Sequence, residues 1–333
     1  MSIGLLLAGC GKMGGAMLAG WLKMGIEATN VTIVEPNSET AEALRLQYGV
    51  TTVSDPEDLD LDTRPTVVIF AVKPQVMDDV VPAYARFNSE GVVFMSITAG
   101  KTIAYLENLI GSNAAIVRAM PNTPAAVGRG ITVNFANAHV SNDQISLCED
   151  LLSSVGEVAW IDDEDQIDAV TALSGGGPAY VFLLTECLAL AGEHSGLPEE
   201  LAKRLARVTV AGSGELLHCS NEKPATLRQN VTSPGGTTAE ALRVLMGEDG
   251  WQPLLDKAIA AATARSRELA GNPSDAAANQ AELYKAAFEK ALANMSELAD
   301  MVTKSPNEAT TLVNERISES LEEIKALSKK LSK

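Results

Sequence analysis

Basic residues are in short supply: 26 Lys and Arg stand against 43 Asp and Glu in 333 residues, a formal net charge of -17. Nucleic acid and anionic membrane surfaces require a basic face, so this balance excludes them as main partners, and any anion site must be local. Cysteine pairs are lacking too. Cys10, Cys148, Cys187 and Cys219 form no CxxC, and the three histidines (His139, His194, His218) lack metal-ligand spacing, so no metal site is expected. Scattered thiols fit a reducing, cytoplasmic setting. The apolar start MSIGLLLAGCGKMGGAML has no basic leader, holds several glycines and is too short to span a bilayer. It reads as a buried strand, and no transmembrane segment is expected.

What the sequence does contain changes character along its length. The first half alternates strand and helix, with apolar runs at Ile3 to Leu7, Val31 to Glu35, Val67 to Val72 and Val92 to Ile97. Continuous apolar runs separated by helical segments are the signature of a doubly wound α/β sheet of Rossmann type. Near Asp162 the pattern shifts to Ala- and Leu-rich helices: Tyr180 to His194, Pro198 to Leu217, Thr237 to Met246 and Pro253 to Leu269. The Tyr180 to Ala191 run is apolar around most of its circumference, which points to burial against a second subunit. Gly271-Asn272-Pro273-Ser274 is a linker, followed by two amphipathic helices, the second starting at Ser305-Pro306-Asn307-Glu308. The expected organisation is therefore a dinucleotide-binding domain over 1–161, an all-α substrate and dimerisation domain over 162–270, and a helical extension over 271–333.

Chemistry-bearing motifs fall at strand ends. Gly9, Gly11 and Gly14 make a GxGxxG between a strand and a helix, with Glu35 at the end of the next strand. That context marks a dinucleotide cradle, and an acid at this point accepts bonds from ribose hydroxyls while repelling a 2′-phosphate, favouring NADH. Asn37 and Ser38 beside it could still hold a phosphate. The stretches AVKPQ (Ala71 to Gln75) and SITAG (Ser96 to Gly100) end two further strands and should face the cofactor, placing Lys73 near it. In VTSPGGTTAEAL, Gly235 and Gly236 allow close backbone approach, and Thr237 or Thr238 can cap a helix beginning near Ala239, a start suited to an anion.

RAMPNTPA (Arg118 to Ala125), EDQIDAVTALSGGGPAYVF (Glu164 to Phe182) and NVTSPGGTT (Asn230 to Thr238), in this order behind the glycine motif, resemble pyrroline-5-carboxylate reductase from about residue 2 to Leu269. The resemblance implies reduction of 1-pyrroline-5-carboxylate to L-proline by NAD(P)H, the last step of proline biosynthesis. It also implies a Rossmann domain paired with a helical domain that interlocks two subunits, often as rings of dimers. By motif, Gly9, Cys10, Gly11, Lys12, Met13 and Gly14, with Ala71, Val72, Lys73, Pro74 and Ala99, would line the dinucleotide, beside Glu35 and Asn37. Glu164, Asn230, Ser233, Gly236, Thr237 and Thr238 would surround the substrate, with Thr238 and Glu164 as the catalytic pair. Thr238 would reach the ring nitrogen and Glu164 would help with the imine charge, unless it caps the helix starting near Asp165.

The chain departs from the family's SGSGPAY at Gly176, where a serine hydroxyl is missing. It also departs at Glu35, where many relatives carry a small hydroxyl residue. Two rival readings share the two-domain plan: a related imine or 3-hydroxy acid reductase, and a non-catalytic nucleotide-binding scaffold. A hydroxy-acid enzyme should carry a catalytic lysine on the first long interdomain helix, and Tyr180 to Ala191 has none; a scaffold has no need of SPGGTT. The tail past Leu269 weakly resembles a phasin, a granule-coating helical protein. It fits either a natural extension, tethered to a granule surface or partner helix, or a fused segment.

Overall fold

Alternation along the first strand decides how the molecule is layered. In the computed structural model, which describes residues 3–60 and 64–271, β1 (Leu5–Ala8) has all four side chains buried. Leu5 and Leu7 enter one core cluster with Met17, Trp21 and Ile33, while Leu6 and Ala8 enter the other with Phe70, Tyr84 and Phe94. Successive side chains point to opposite faces, so a strand buried throughout needs a cover on both.

The order of elements supplies that cover. After β1 come α1 (Lys12–Lys23), β2 (Val31–Val34), α2 (Ser38–Tyr48), β3 (Thr51–Val53), β4 (Val67–Phe70), α3 (Met77–Val80), β5 (Val93–Ser96) and α4 (Ile103–Ile110). Then follow β6 (Ala115–Met120), β7 (Gly130–Ala136), α5 (Asn142–Ser153) and β8 (Gly156–Trp160). The eight strands lie in the order β3-β2-β1-β4-β5-β6-β7-β8. All neighbours run parallel except β6 and β7. The short connection 121–129 explains the exception, because a parallel return needs a crossover of a dozen or more residues.

Chain direction reverses its lateral progress at β1 and β4, which is the switch point where ligands sit in open sheets of this kind. The four apolar runs expected from sequence are β1, β2, β4 and β5; β1 starts two residues later and ends one later than expected, and the other three are trimmed by a residue or two at their ends. The strands β3, β6, β7 and β8 were not anticipated. Trp21 locks α1 to α5: its side chain is fully buried, and its indole Nε1 donates to the Leu151 carbonyl at 2.9 Å.

Beyond Trp160 the described residues are helical. α6 (Gln166–Val170) runs through a π turn at Thr171–Gly175 into α7 (Gly177–His194). Then come α8 (Glu199–Cys219), α9 (Pro224–Asn230), α10 (Thr237–Leu245) and α11 (Trp251–Leu269). α7 packs along α8, and α11 returns to α6 and the π turn. There the Ser266 hydroxyl donates to Asp168 Oδ1 at 2.6 Å, both side chains being buried. α9 is the helix that sequence reading missed.

The helical half leaves much apolar surface uncovered. Phe182 is 63% exposed, Val208 63% and Leu216 66%, and α10 buries none of its side chains. The run Gln166–His194, 29 residues long with an 18-residue window of mean hydropathy 1.3, is long and apolar enough to cross a bilayer by length and composition. The two extension helices expected within 271–333 lie outside the described residues apart from Gly271. Replacing Trp21 with Ala should cost about 3–5 kcal/mol, the usual range for emptying such a site. Urea unfolding at fixed protein concentration should show it as a lower midpoint with unchanged slope.

Candidate active site

The turn after β1 is shaped by contacts that forbid side chains. Gly9 sits at φ +80°, and a Cβ there would come 2.8 Å from Val72 Cγ1 and 3.2 Å from the Ala71 carbonyl oxygen. A Cβ on Gly14 would meet the Gly9 carbonyl oxygen at 3.0 Å, so α1 can approach the sheet only with glycine there. Gly11 differs: nothing lies within 4 Å of where its Cβ would be. It is the N-cap of α1 and offers no side-chain cap, so the helix start opens onto free space. Those residues fit a dinucleotide, whose pyrophosphate needs close backbone approach and a positive helix terminus.

Glu35 stands directly beside this turn. Its Oε2 accepts from the Cys10 amide at 3.2 Å and its Oε1 from the Asn37 amide at 3.1 Å. A carboxylate has about four acceptor positions, so two such bonds leave room for ribose hydroxyls. Asn37 is also the N-cap of α2, accepting from the Thr40 amide at 2.8 Å. Ala71 donates its amide to the Ala8 carbonyl at 2.9 Å, continuing the β1/β4 pairing past the strand end. The Thr98 hydroxyl donates to the Val72 carbonyl at 3.2 Å, which binds SITAG to AVKPQ. Lys12, Lys73 and Ala99 are exposed, Met13 half-buried, and Pro74 begins a single 3-10 turn. The cofactor residues predicted from sequence thus gather at one edge.

The predicted substrate residues divide into two groups. Glu164 belongs to the sheet edge: its Oε1 accepts from Arg118 Nη1 and from the Ile103 amide, each at 2.8 Å. It does not cap the helix after it, whose N-cap is Asp165. Asn230 ends α9, Thr237 and Thr238 begin α10, and Ser233 and Gly236 lie between them, where Gly235 turns at φ +70° and the Gly236 amide donates to the Ser233 carbonyl at 3.0 Å. The cap differs from expectation. α10 begins at Thr237 behind Gly236, with no side-chain cap, so both threonine hydroxyls are left for other partners. The junction is exposed, and α10 packs extensively on no element of the sheet domain in the same chain.

Several site residues were not read from sequence. Arg118 is buried in β6, and a lone charge inside the apolar run AIVRAM was itself a signal, since a buried charge must be paired. Glu222 Oε2 accepts from Asn230 Nδ2 at 3.0 Å and fixes that amide's orientation. Asn122 of PNTPA donates to Ser174 Oγ at 3.1 Å and accepts from the Ile131 amide at 3.0 Å, so this motif joins sheet to helices. At Gly176, a Cβ would lie 2.6 Å from the Tyr180 oxygen, which donates to the Ala172 carbonyl at 2.9 Å. The tyrosine hydroxyl takes the place that a side chain at 176 would claim.

A glycine cradle at the sheet's switch point, an acid at the end of β2 and a helical half with an uncovered apolar face define an NAD(P)H-dependent oxidoreductase. Comparison with known proteins gives the particular family. "Pyrroline-5-carboxylate reductase dimerisation" matches residues 164–269, "NADP oxidoreductase coenzyme F420-dependent" residues 2–100, and "Phasin protein" residues 251–317. The pyrroline-5-carboxylate reductase of Pseudomonas aeruginosa is 39% identical over 262 residues, 79% of this chain and 95% of that one. A solved structure of the Coxiella burnetii reductase is 36% identical with TM-score 0.76, covering 81% of this chain and 99% of that chain. The Plasmodium falciparum reductase, solved with NADP bound, is 31% identical with TM-score 0.67, covering 80% and 98%. The chain belongs to the pyrroline-5-carboxylate reductase family, and the dimerisation match accounts for its uncovered helical face as that of a homo-oligomer.

Burial and the neighbouring Glu35 carboxylate push the Cys10 thiol up to about 11, and burial pushes Cys148 up to about 12. Both are protonated at pH 8, and thiolate appears only as the pH rises through those values. Iodoacetamide at pH 8 should therefore leave Cys10 and Cys148 unmodified in the native protein and label them after denaturation, as read by peptide mass spectrometry.

Proposed function

We propose that the chain reduces 1-pyrroline-5-carboxylate to L-proline with NAD(P)H, the last step of proline biosynthesis, in the cytoplasm, as a dimer or ring of dimers. The observation that carries this reading is a pair of helix starts without side-chain caps, α1 behind Gly11 and α10 behind Gly236. The first suits a pyrophosphate and the second a single carboxylate, which is the one anionic group of this substrate. Residues 1–161 serve as the dinucleotide domain and 162–270 as the substrate and dimerisation domain. A reduced nicotinamide, when bound, supplies the hydride.

The protein's own residues bind and orient. Gly9, Cys10, Gly11, Lys12, Met13 and Gly14 cradle the pyrophosphate, Glu35 and Asn37 hold the adenosine ribose, and Ala71, Val72, Lys73, Pro74 and Ala99 line the path to the reacting end. The Glu35 carboxylate repels a 2′-phosphate, which favours NADH. Amides at Thr237 and Thr238, with Gly236 allowing close approach and with Ser233 and Asn230, grip the substrate carboxylate. The Thr238 hydroxyl, free of any capping bond, holds the proton at the ring nitrogen. Charge on that nitrogen disappears during reduction, so the site needs orientation and no strong base. Glu164 is the acid at this edge. Since α10 stands clear of its own sheet domain, a second copy completes the site.

The extension beyond Leu269 acts as an appendage, either a natural one that touches a granule surface or a partner helix or a fused segment. Removing residues 272–333 should leave turnover unchanged, and a large loss would place the extension in the site.

Nicotinamide oxidation followed with 1-pyrroline-5-carboxylate, with an open-chain imine, and with each cofactor tests the reading. Turnover of the cyclic imine with higher kcat/KM for NADH is expected. Reduction of the open-chain imine alone would overturn the assignment, and a clear NADPH preference would overturn the role given to Glu35. Thr238→Ala should lower kcat by about 10²-fold, with little change in the cofactor KM.

A further inference from the structure

We infer that Arg118 and Glu164 form a positioning pair for the reduction, fixing the loop under the reacting end of the cofactor to the helical half. The inference rests on the reaction proposed above. β5 and β6 pair with Ser96 opposite Arg118, and Ser96 is the last residue of β5. The guanidinium therefore starts from the same edge of the sheet as the glycine turn, about 14 Å away across three strand spacings. Its side chain is 4% exposed, the least of any cation in an ion pair among the described residues.

Glu164 reaches this edge from the other side, two residues before α6. Its Oε1 receives two donors at 2.8 Å, Arg118 Nη1 and the Ile103 amide. Ile103 opens α4 at the end of the loop that carries Ala99 and Gly100. The same loop is touched again by the helical half, since a Cβ on Gly100 would lie 3.4 Å from Leu269 Cβ. α11, which carries Leu269, is itself joined to α6 through Ser266 and Asp168. One carboxylate oxygen thus joins a sheet strand, the cofactor-facing loop and the entrance to the helices.

Taking a guanidinium and a carboxylate out of water is costly unless geometry and extra hydrogen bonds compensate, and the Ile103 amide supplies such a bond. The pair's value lies in placement. Misplacing bound reactants by about 1 Å costs on the order of 10²-fold in rate, and this loop and α6 flank the place where they meet. Glu164 then acts through Arg118 and the loop, without touching the imine.

Charge and position can be separated by substitution. Glu164→Gln keeps an oxygen that can accept from both donors and loses the charge; Glu164→Ala loses both. Positioning predicts kcat within about 5-fold of wild type for Gln and a fall of about 10²-fold for Ala, with cofactor KM little changed in either. Arg118→Met should lose kcat as Ala does, and Arg118→Lys should recover most of it. Amide hydrogen exchange at residues 97–103 of the cofactor-free protein should quicken in Glu164→Ala and stay at the wild-type rate in Glu164→Gln.

A Gln variant of native mass and melting temperature that falls as far as Ala would show the charge acting directly on the imine and overturn the inference. So would full turnover in Arg118→Met. Wild-type protein inert toward the cyclic imine would instead count against the proposed function, and the exchange measurement would still decide the clasp.

Discussion

The carboxyl edge of the sheet is the constraint on which everything else rests. β1 and β4 lie side by side and diverge in their connections there, so the turn after β1 and the loop after β4 face a common crevice. α1 can begin over that crevice only because no side chain intervenes at Gly9 or Gly14, where added atoms would strike backbone or the neighbouring loop. Close packing below and open space above Gly11 are two faces of one arrangement. The helix presses on the sheet with its body and leaves its positive end free.

A second constraint comes from what the helical half fails to cover. A sheet domain whose strands β1, β4 and β5 are buried throughout adjoins helices whose Leu, Val and Phe side chains stand in solvent. Exposed apolar surface of this extent marks an interaction face, and in a family with a named dimerisation region its partner is another copy. The α9–α10 junction is held by the turn at Gly235, the Ser233 carbonyl and the Asn230–Glu222 bond, and α10 packs extensively on no element of the sheet domain of its own chain.

A seam of polar bonds joins the sheet to the helices: Arg118 with Glu164 and Asn122 with Ser174 cross between the two halves, and Ser266 with Asp168 ties α11 to α6 within the helical one. Each joins a residue from a motif that could be quoted from sequence to one far along the chain. Hydrogen bonds are directional where apolar packing is not, so a seam of this kind sets one relative placement of sheet and helices. The Tyr180 hydroxyl over Gly176 extends it through the π turn into α7.

Periodicity and glycine spacing were enough to read the Rossmann half, because buried parallel strands are short unbroken apolar runs and the cradle leaves no room for a side chain at Gly9 or Gly14. They were enough, too, to place the all-α half, whose helices repeat Ala and Leu at helical spacing. They missed β3, with its two threonines, and β6, whose apolar run is broken by Arg118. They also missed the antiparallel turn into β7 and the short helix α9. The candidate residues could be named by type, but the bonds that Glu164 makes could not. A carboxylate's partners lie 46 and 61 positions away, and only folding brings them within 2.8 Å. Local chemistry therefore determined which segments form strands, helices and anion-ready turns. The tertiary structure alone decided which groups meet, because distance in space between residues far apart in sequence is set by packing and not by pattern.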